Sequence, residues 1–214
     1  MGWFDYTRSP DGHGVDTLDI PLFPLNVVLF PDGRLPLRLF EQRYLDMAAR
    51  CLREQSPFGI CLIESGGEVG EPATPHPVGT LASIDNWEME QLGILQISVQ
   101  GGRRFRILET RIGPGKLLEA SVELLNDSDG PHFPVQRQRL LAFLQRIIRE
   151  MGEDQASGVM PLPHRFDSAA WVGNRITEVL PVQNLAKQKL LELDDPLARL
   201  EILEQFLAQR GLLD

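Results

Sequence analysis

Between Leu18 and Leu125 the chain follows a two-residue period. Leu95, Ile97 and Val99 alternate with Gln96, Ser98 and Gln100, and Leu118, Ala120, Val122 and Leu124 alternate with Leu117, Glu119, Ser121 and Glu123. This is the pattern of half-buried antiparallel strands. The opening IPLFPLNVVLFPDGRLPLRLF is apolar but carries prolines at 21, 24, 31 and 36. Proline cannot donate to a central ladder, so the segment predicts short or bulged edge strands joined by a turn at Pro31-Asp32-Gly33. One helix interrupts the strands, from Glu41 to about Arg53, with Tyr44, Ala48, Cys51 and Leu52 on its inner face and Arg50 and Arg53 in its last turn, where the helix dipole favours them. The Gly- and Pro-rich run from Ser65 to Gly79 is expected to be the most mobile part of this half.

After residue 131 the period becomes that of helices. Pro134 suits a first helical position, and Leu140, Leu141, Leu144, Ile147, Ile148 and Met151 form one stripe before Gly152. Gly152 to Asp167 reads as a long loop. Ser168 is placed to cap a second helix carrying Trp171, Val172, Ile176, Val179 and Leu180, stopped by Pro181. A short helix with Leu185, Leu190 and Leu191 follows. Asp195-Pro196 then caps a last helix with Leu197, Leu200, Leu203 and Leu207 in line and Gly211 beyond its end. Strands first and helices after define an α+β chain. Its expected divisions are a loosely held tail over 1–17, a β subdomain over 18–125 containing one helix, and a helical subdomain over 132–214.

Composition narrows the function. The chain has 214 residues, 43% of them hydrophobic, enough to bury a substantial core. No apolar run approaches the roughly 20 residues of a membrane span, and the first residues lack the apolar block of a signal peptide. The expected location is the cytoplasm, with no membrane partner. Cys51 and Cys61 have no metal-binding spacing and read as reduced core residues. The net charge of −9, spread over both halves, argues against a partner held by phosphate contacts.

Candidate chemistry is sparse. Gly113-Pro114-Gly115-Lys116 lacks the first glycine of a phosphate-cradling loop and is followed by Leu117 in place of a hydroxyl. His13, His76, His132 and His164 are scattered, and no G-x-S-x-G elbow occurs. The expectation is no cofactor, no metal and no catalytic residue. Arg103-Arg104-Phe105-Arg106 offers an aromatic between cations, as single-stranded nucleic acid requires. Strand alternation favours a plainer role, with Phe105 and Ile107 inward and Arg104 and Arg106 outward, pairing with acids such as Glu88, Glu90 and Glu109. Asp85, Glu88 and Glu90 likewise read as a solvated strand face.

Four segments occur in an order that carries more information than any one of them: IPLFPLNVVLFPDGRLPLRLFEQRYLDM, PVGTLASI, ISVQGGRRFRI and LPVQNLAKQKLLELDDPLARLEIL. Together they resemble the N-terminal domain of ATP-dependent Lon proteases, over roughly residues 18 to 208. The resemblance implies a PUA-like antiparallel β-barrel followed by a C-terminal helical bundle, and a role in engaging protein substrates. The ATPase and Ser-Lys protease modules that follow this domain in Lon have no counterpart before Asp214, so no catalytic residue carries over.

The implied function is a stand-alone, non-enzymatic binder of unfolded or damaged polypeptides, with a separate ATP-dependent protease as a further partner. An RNA- or small-ligand-binding role, as in other PUA-like barrels, is the alternative. Phe40-Glu41-Gln42-Arg43-Tyr44 matches the Phe-Glu-x-Arg-Tyr corner of the family. It reads either as architecture, with Phe40 and Tyr44 packed under the barrel and Arg43 bonded to a carboxylate or free carbonyls, or as a peptide-binding lip. The candidate polypeptide-binding residues are Phe30, Pro31, Arg34, Phe40, Tyr44, Arg104 and Arg106.

Overall fold

The computed structural model describes residues 16–126, 130–152, 158, 160 and 162–213, apart from the side chain of Glu90. The tail expected over 1–17 lies outside the described residues as far as residue 15, as does much of the loop expected between Gly152 and Asp167. The chain divides into two units, one of Met1–Leu29 with Leu35–Asn126, the other of Phe30–Arg34 with Asp127–Asp214.

The first unit holds strands β1 (Thr17–Leu25), β2 (Arg34–Leu39), β3 (Phe58–Ser65), β4 (Thr74–Pro75), β5 (Val78–Gln91), β6 (Ile94–Ile112) and β7 (Leu118–Leu124), with helix α1 (Gln42–Glu54) between β2 and β3. The sheet order is β1-β7-β6-β5-β3-β4, with β2 on β6, and β1 also pairs with β3. That last pairing is parallel and closes β1, β7, β6, β5 and β3 into a ring.

The expectation of edge strands at the start is therefore corrected for β1, which has a neighbour on each side, and holds for β2, which pairs off the ring with β6. The prolines are tolerated because β1 changes partner along its length. Thr17–Leu22 pairs antiparallel with β7, and Leu22–Leu25 pairs parallel with β3. At Pro21 and at Pro24 only one side of the strand carries a ladder, so neither ring removes a required donor.

Two apolar clusters fill this unit. One gathers Phe23, Leu39, Tyr44, Met47, Phe58 and Val99, and the other Ile20, Leu22, Cys61, Phe105, Ala120 and Val122. Phe105 sets a tight condition. A Cβ on Gly59 or on Gly79 would come within 2.6 or 2.7 Å of its ring, so two glycines open the space that the ring occupies. The Ser65–Gly79 run is held at several points. Thr74 and Pro75 pair with β3, Ala73 is buried, and Glu68 accepts a 2.6 Å bond from the Asn26 amide.

In the second unit, the helical stripes form α2 (Gln138–Met151), α3 (Ala169–Val179), α4 (Asn184–Glu192) and α5 (Pro196–Gln209). A short 3-10 turn over Val135–Arg137 precedes α2, so Pro134 stands before that turn and not inside the helix. The other two caps fall where the sequence places them. Ser168 Oγ accepts from Trp171 N at 3.2 Å, and Asp195 Oδ1 accepts from Leu197 N at 2.8 Å with Pro196 at the first helical position. Leu140, Leu144, Trp171, Ile176, Leu200 and Leu203 close the core.

Two buried arginines complete this unit. Arg199, 3% exposed, donates from Nε to Leu190 O (2.9 Å), from Nη2 to Leu193 O (2.5 Å) and from Nη1 to Asn174 Oδ1 (2.8 Å). It thereby satisfies carbonyls left open at the end of α4 and joins three helices. Arg175 is fully buried and donates to Pro31 O at 2.7 Å and to Glu178 Oε1 at 3.0 Å, fastening the Phe30–Arg34 turn to α3. A Cβ on Gly33 would lie 2.2 Å from Glu178 Oε1 and 3.0 Å from Phe30 O, so a larger residue there would have to displace that carboxylate. Burial pushes the Glu178 carboxyl up to about 7, against the opposing pull of Arg175 and Lys187. No helix among the described residues is long and apolar enough to cross a membrane.

Candidate polypeptide-binding site

Helix α1 begins without a side-chain cap. Glu41 is extended (φ −78°, ψ 134°), its carbonyl accepts the amides of Tyr44 and Leu45, and its carboxylate is taken by Arg43 Nη2 at 2.9 Å. The helix ends at Gln55, in the left-handed region (φ 51°), whose amide returns to Cys51 O. Tyr44, Met47, Ala48 and Cys51 turn inward. The Tyr44 ring lies 4.0 Å from that of Phe23, and the Arg43 guanidinium lies 4.7 Å from the Tyr44 centroid. Arg43 Nη1 also donates to Lys116 O at 3.3 Å, tying α1 to the Pro114–Lys116 turn.

Between these tied elements lies a cavity of about 290 Å³. One wall is α1, with Gln42, Arg43, Asp46, Met47, Arg50 and Cys51. Opposite stand Asp19 and Pro21 of β1, Pro114 and Gly115 of the turn, and Leu117 and Glu119, with Ser56 and Pro57 at one end. Its floor is largely apolar and most of its charges have an ion-pair partner. Arg111 Nε donates to Glu119 Oε2 at 2.9 Å and Arg111 Nη1 lies 3.5 Å from Asp19 Oδ2. Glu119 is buried and packs so closely on Gly113 that a Cβ there would lie 2.4 Å from its Oε1. Burial raises the Cys51 thiol, the Ser56 hydrogen bond opposing, so Cys51 stays protonated at neutral pH and acts as an apolar part of the wall. Such a groove can hold an apolar group by burial and a charged one by pairing at its rim. Among the described residues no three of His, Cys, Asp and Glu cluster as metal ligands would.

The seven residues singled out from sequence do not meet at this groove, and none of them lines it. Phe30, Pro31 and Arg34 belong to the helical unit; Phe40, Tyr44, Arg104 and Arg106 belong to the strand unit. Phe30 (0% exposed), Tyr44 (6%) and Arg104 (4%) are buried, Pro31 and Arg34 are half-buried, and Phe40 and Arg106 are exposed.

Several expectations are corrected here. Phe40 does not pack under the barrel but is 57% exposed, because Leu39 takes the inward position at the end of β2 and the next side chain faces the other way. Arg104 does not face outward. At its position both sides of β6 are covered: Phe105 fills the interior, while Arg104 shares a face with its cross-strand partner Thr80, whose hydroxyl donates to Leu29 O at 2.6 Å. Among the described residues, Asp16 lies 3.6 Å from Arg103 and Glu123 lies 3.8 Å from Arg106. Arg43, by contrast, makes the corner bonds expected of it.

The groove was missed because its α1 residues, Gln42, Asp46 and Arg50, look like an ordinary solvent-facing stripe, while its other wall comes from β1 and a turn distant in sequence. A second exposed apolar surface also went unnoticed, with Trp87 (55%), Met89 (59%) and Leu92 (97%) on the β5–β6 hairpin.

A closed strand ring carrying one helix, followed in the chain by a helical unit, defines an α+β domain. The chain belongs to the family of the ATP-dependent protease La (LON) substrate-binding domain, which it matches over residues 19–209. The structure resembles a Lon N-terminal domain protein from Xanthomonas campestris, with 34% identity and a TM-score of 0.70, covering 89% of this chain and 97% of that one. It also resembles the N-terminal domain of the Mycobacterium avium complex Lon protease, with 17% identity and a TM-score of 0.61, covering 89% of this chain and 98% of that one, a likeness of fold. Lon protease 1 of Bdellovibrio bacteriovorus is 33% identical over 112 residues, 51% of this chain and 14% of that protein. Lon protease of Cytophaga hutchinsonii is 25% identical over 189 residues, 84% of this chain and 23% of that protein. The chain thus spans less than a quarter of the length of these two curated relatives.

Proposed function

We propose that this protein is a non-enzymatic polypeptide-binding module that engages unfolded or partly folded chains. The observation that carries the reading is the apolar groove walled by α1 and the Pro114–Lys116 turn, within a domain of a substrate-binding family. The exposed Trp87, Met89 and Leu92 give a second surface on which an unfolded chain can lie. The exposed arginines Arg103 and Arg106 lie beside Asp16 and Glu123, which counts against a strand given over to phosphate contacts. On this reading the protein works in the cytoplasm, and a separate ATP-dependent protease receives what it binds.

The test is fluorescence anisotropy of three chemically different labelled polypeptides, kept unfolded by reduction and carboxymethylation, titrated with the full chain and no nucleotide. Saturable binding of at least one is expected, and its absence for all three would remove the proposal.

A further inference from the structure

We infer that the α1 groove selects, within a polypeptide, a bulky apolar side chain with Lys or Arg close beside it in sequence. The inference rests on the polypeptide-binding reading above and adds to it a site and a sequence preference.

Size sets the first half of the motif. An apolar cavity of about 150 Å³ holds a benzene ring. The groove, at about 290 Å³ with Pro21, Met47, Pro57, Pro114 and Leu117 in its walls, therefore takes one aromatic side chain or two aliphatic ones.

Charge sets the second half. Arg43 faces Glu41 at 2.9 Å, and Glu54 is shared between Arg50 at 3.2 Å and Arg53 at 3.3 Å. Arg111 is shared between Asp19 and Glu119. Asp46, exposed at the mouth one turn before Arg50, takes a 2.7 Å hydrogen bond from the neutral Gln42 amide. Five carboxylates thus stand against four guanidinium groups around an apolar floor, with Asp46 the carboxylate whose partner here is neutral. A Lys or Arg beside the inserted side chain restores the balance at Asp46 or Asp19, whereas an Asp or Glu adds repulsion in a partly desolvated setting.

The experiment uses fluorescein-labelled ten-residue peptides sharing one Gly-Ser frame and differing in four central residues: Phe-Leu-Lys-Arg, Phe-Leu-Gln-Gln, Phe-Leu-Asp-Glu and Gly-Ser-Lys-Arg. Each is titrated with the full chain at low and high salt. Phe-Leu-Lys-Arg is expected to bind best and to weaken with salt. Phe-Leu-Gln-Gln should bind roughly five- to tenfold more weakly, as one or two partly exposed ion pairs allow, and the other two should bind weakest.

Two substitutions at exposed positions locate the site. Asp46→Lys should cost the Lys-Arg peptide about tenfold and narrow its lead over the Asp-Glu peptide. Gln42→Trp, which fills the mouth, should weaken every peptide, with circular dichroism confirming that both variants fold.

Equal affinity for the three Phe-Leu peptides would overturn the charge preference and leave polypeptide binding standing. Binding that survives both substitutions would overturn the groove as the site and point to the β5–β6 hairpin. Self-association that Gln42→Trp abolishes, without peptide binding, would make a second copy the occupant and overturn the inference. Failure of these peptides together with the unfolded polypeptides would remove the functional reading itself.

Discussion

Replacing Arg43 by alanine tests whether the family's corner is an architectural strut. Four contributions are lost. The bond to Glu41 is charge-assisted and would be worth about 1.5–3 kcal/mol if fully buried, but Glu41 is 20% exposed and can recover water, which lowers the figure to about 1 kcal/mol. The bond to Lys116 O, at 3.3 Å, adds about 0.5 kcal/mol. The position over Tyr44 adds about 0.5–1 kcal/mol. The buried stem, 6% exposed as a side chain, adds about 1–2 kcal/mol of packing. Against these stands relief of the buried Nε, which has no hydrogen-bond partner, worth about 1 kcal/mol. The net loss is about 2–3.5 kcal/mol, a fall in Tm of about 4–14 °C for a chain of this size.

Urea denaturation followed by circular dichroism measures it, with Arg43→Met as the control that keeps most of the stem. Pairing Arg43→Met with Glu41→Gln in a double-mutant cycle isolates the ion pair, with an expected coupling of about 1 kcal/mol. A loss below about 0.5 kcal/mol for Arg43→Ala, with polypeptide binding abolished, would refute the strut and make Arg43 a contact residue.

Other outcomes follow from the same geometry. Gly79→Ala forces a methyl against Cys61 Sγ and the Phe105 ring and should cost about 1–3 kcal/mol in urea unfolding. Arg199→Met leaves the Leu190 and Leu193 carbonyls and Asn174 without their donor and should cost about 2–4 kcal/mol, seen as loss of Trp171 near-ultraviolet signal at lower urea. The Glu178 carboxyl is held up to about 7 in the folded chain against an ordinary 4.5, so the folded state keeps a proton that the unfolded state releases. Its contribution to stability is full below about 4.5 and is lost as pH rises through about 7; Glu178→Gln should flatten this part of the pH profile between pH 5 and 8, and an unchanged slope would refute the shift.

Local chemistry was legible in the sequence and coverage was not. Ser168 and Asp195-Pro196 act within three residues of themselves, so their caps could be read directly. Leu95, Ile97 and Val99 bury as their alternation requires, because one face of the ladder meets the core. Alternation misled at Arg104, where the second face is covered by the chain near Leu29, a contact no local pattern records. The prolines of β1 misled for a related reason: the edge-strand rule assumes one neighbour along a whole strand, and β1 divides its length between two. Arg43 was legible as a corner residue but not as a wall of the groove, since the opposite wall is set by tertiary pairing alone.

The parallel pairing of β1 with β3 also shapes how the chain is made. Synthesis runs from the N-terminus at about 5–20 residues per second. Thr17–Leu22 leaves the ribosome well before its ladder partner, Leu118–Glu123, which is about 100 residues behind, a delay of roughly 5–20 s. The nearer partner, Gly59–Leu62, arrives sooner but takes only Leu22–Leu25. Until β7 emerges, the first strand presents an apolar ribbon with an open side, the state in which chains most readily pair with the wrong neighbour. A module proposed to hold other proteins' unfinished segments would, while being made, expose such a segment of its own.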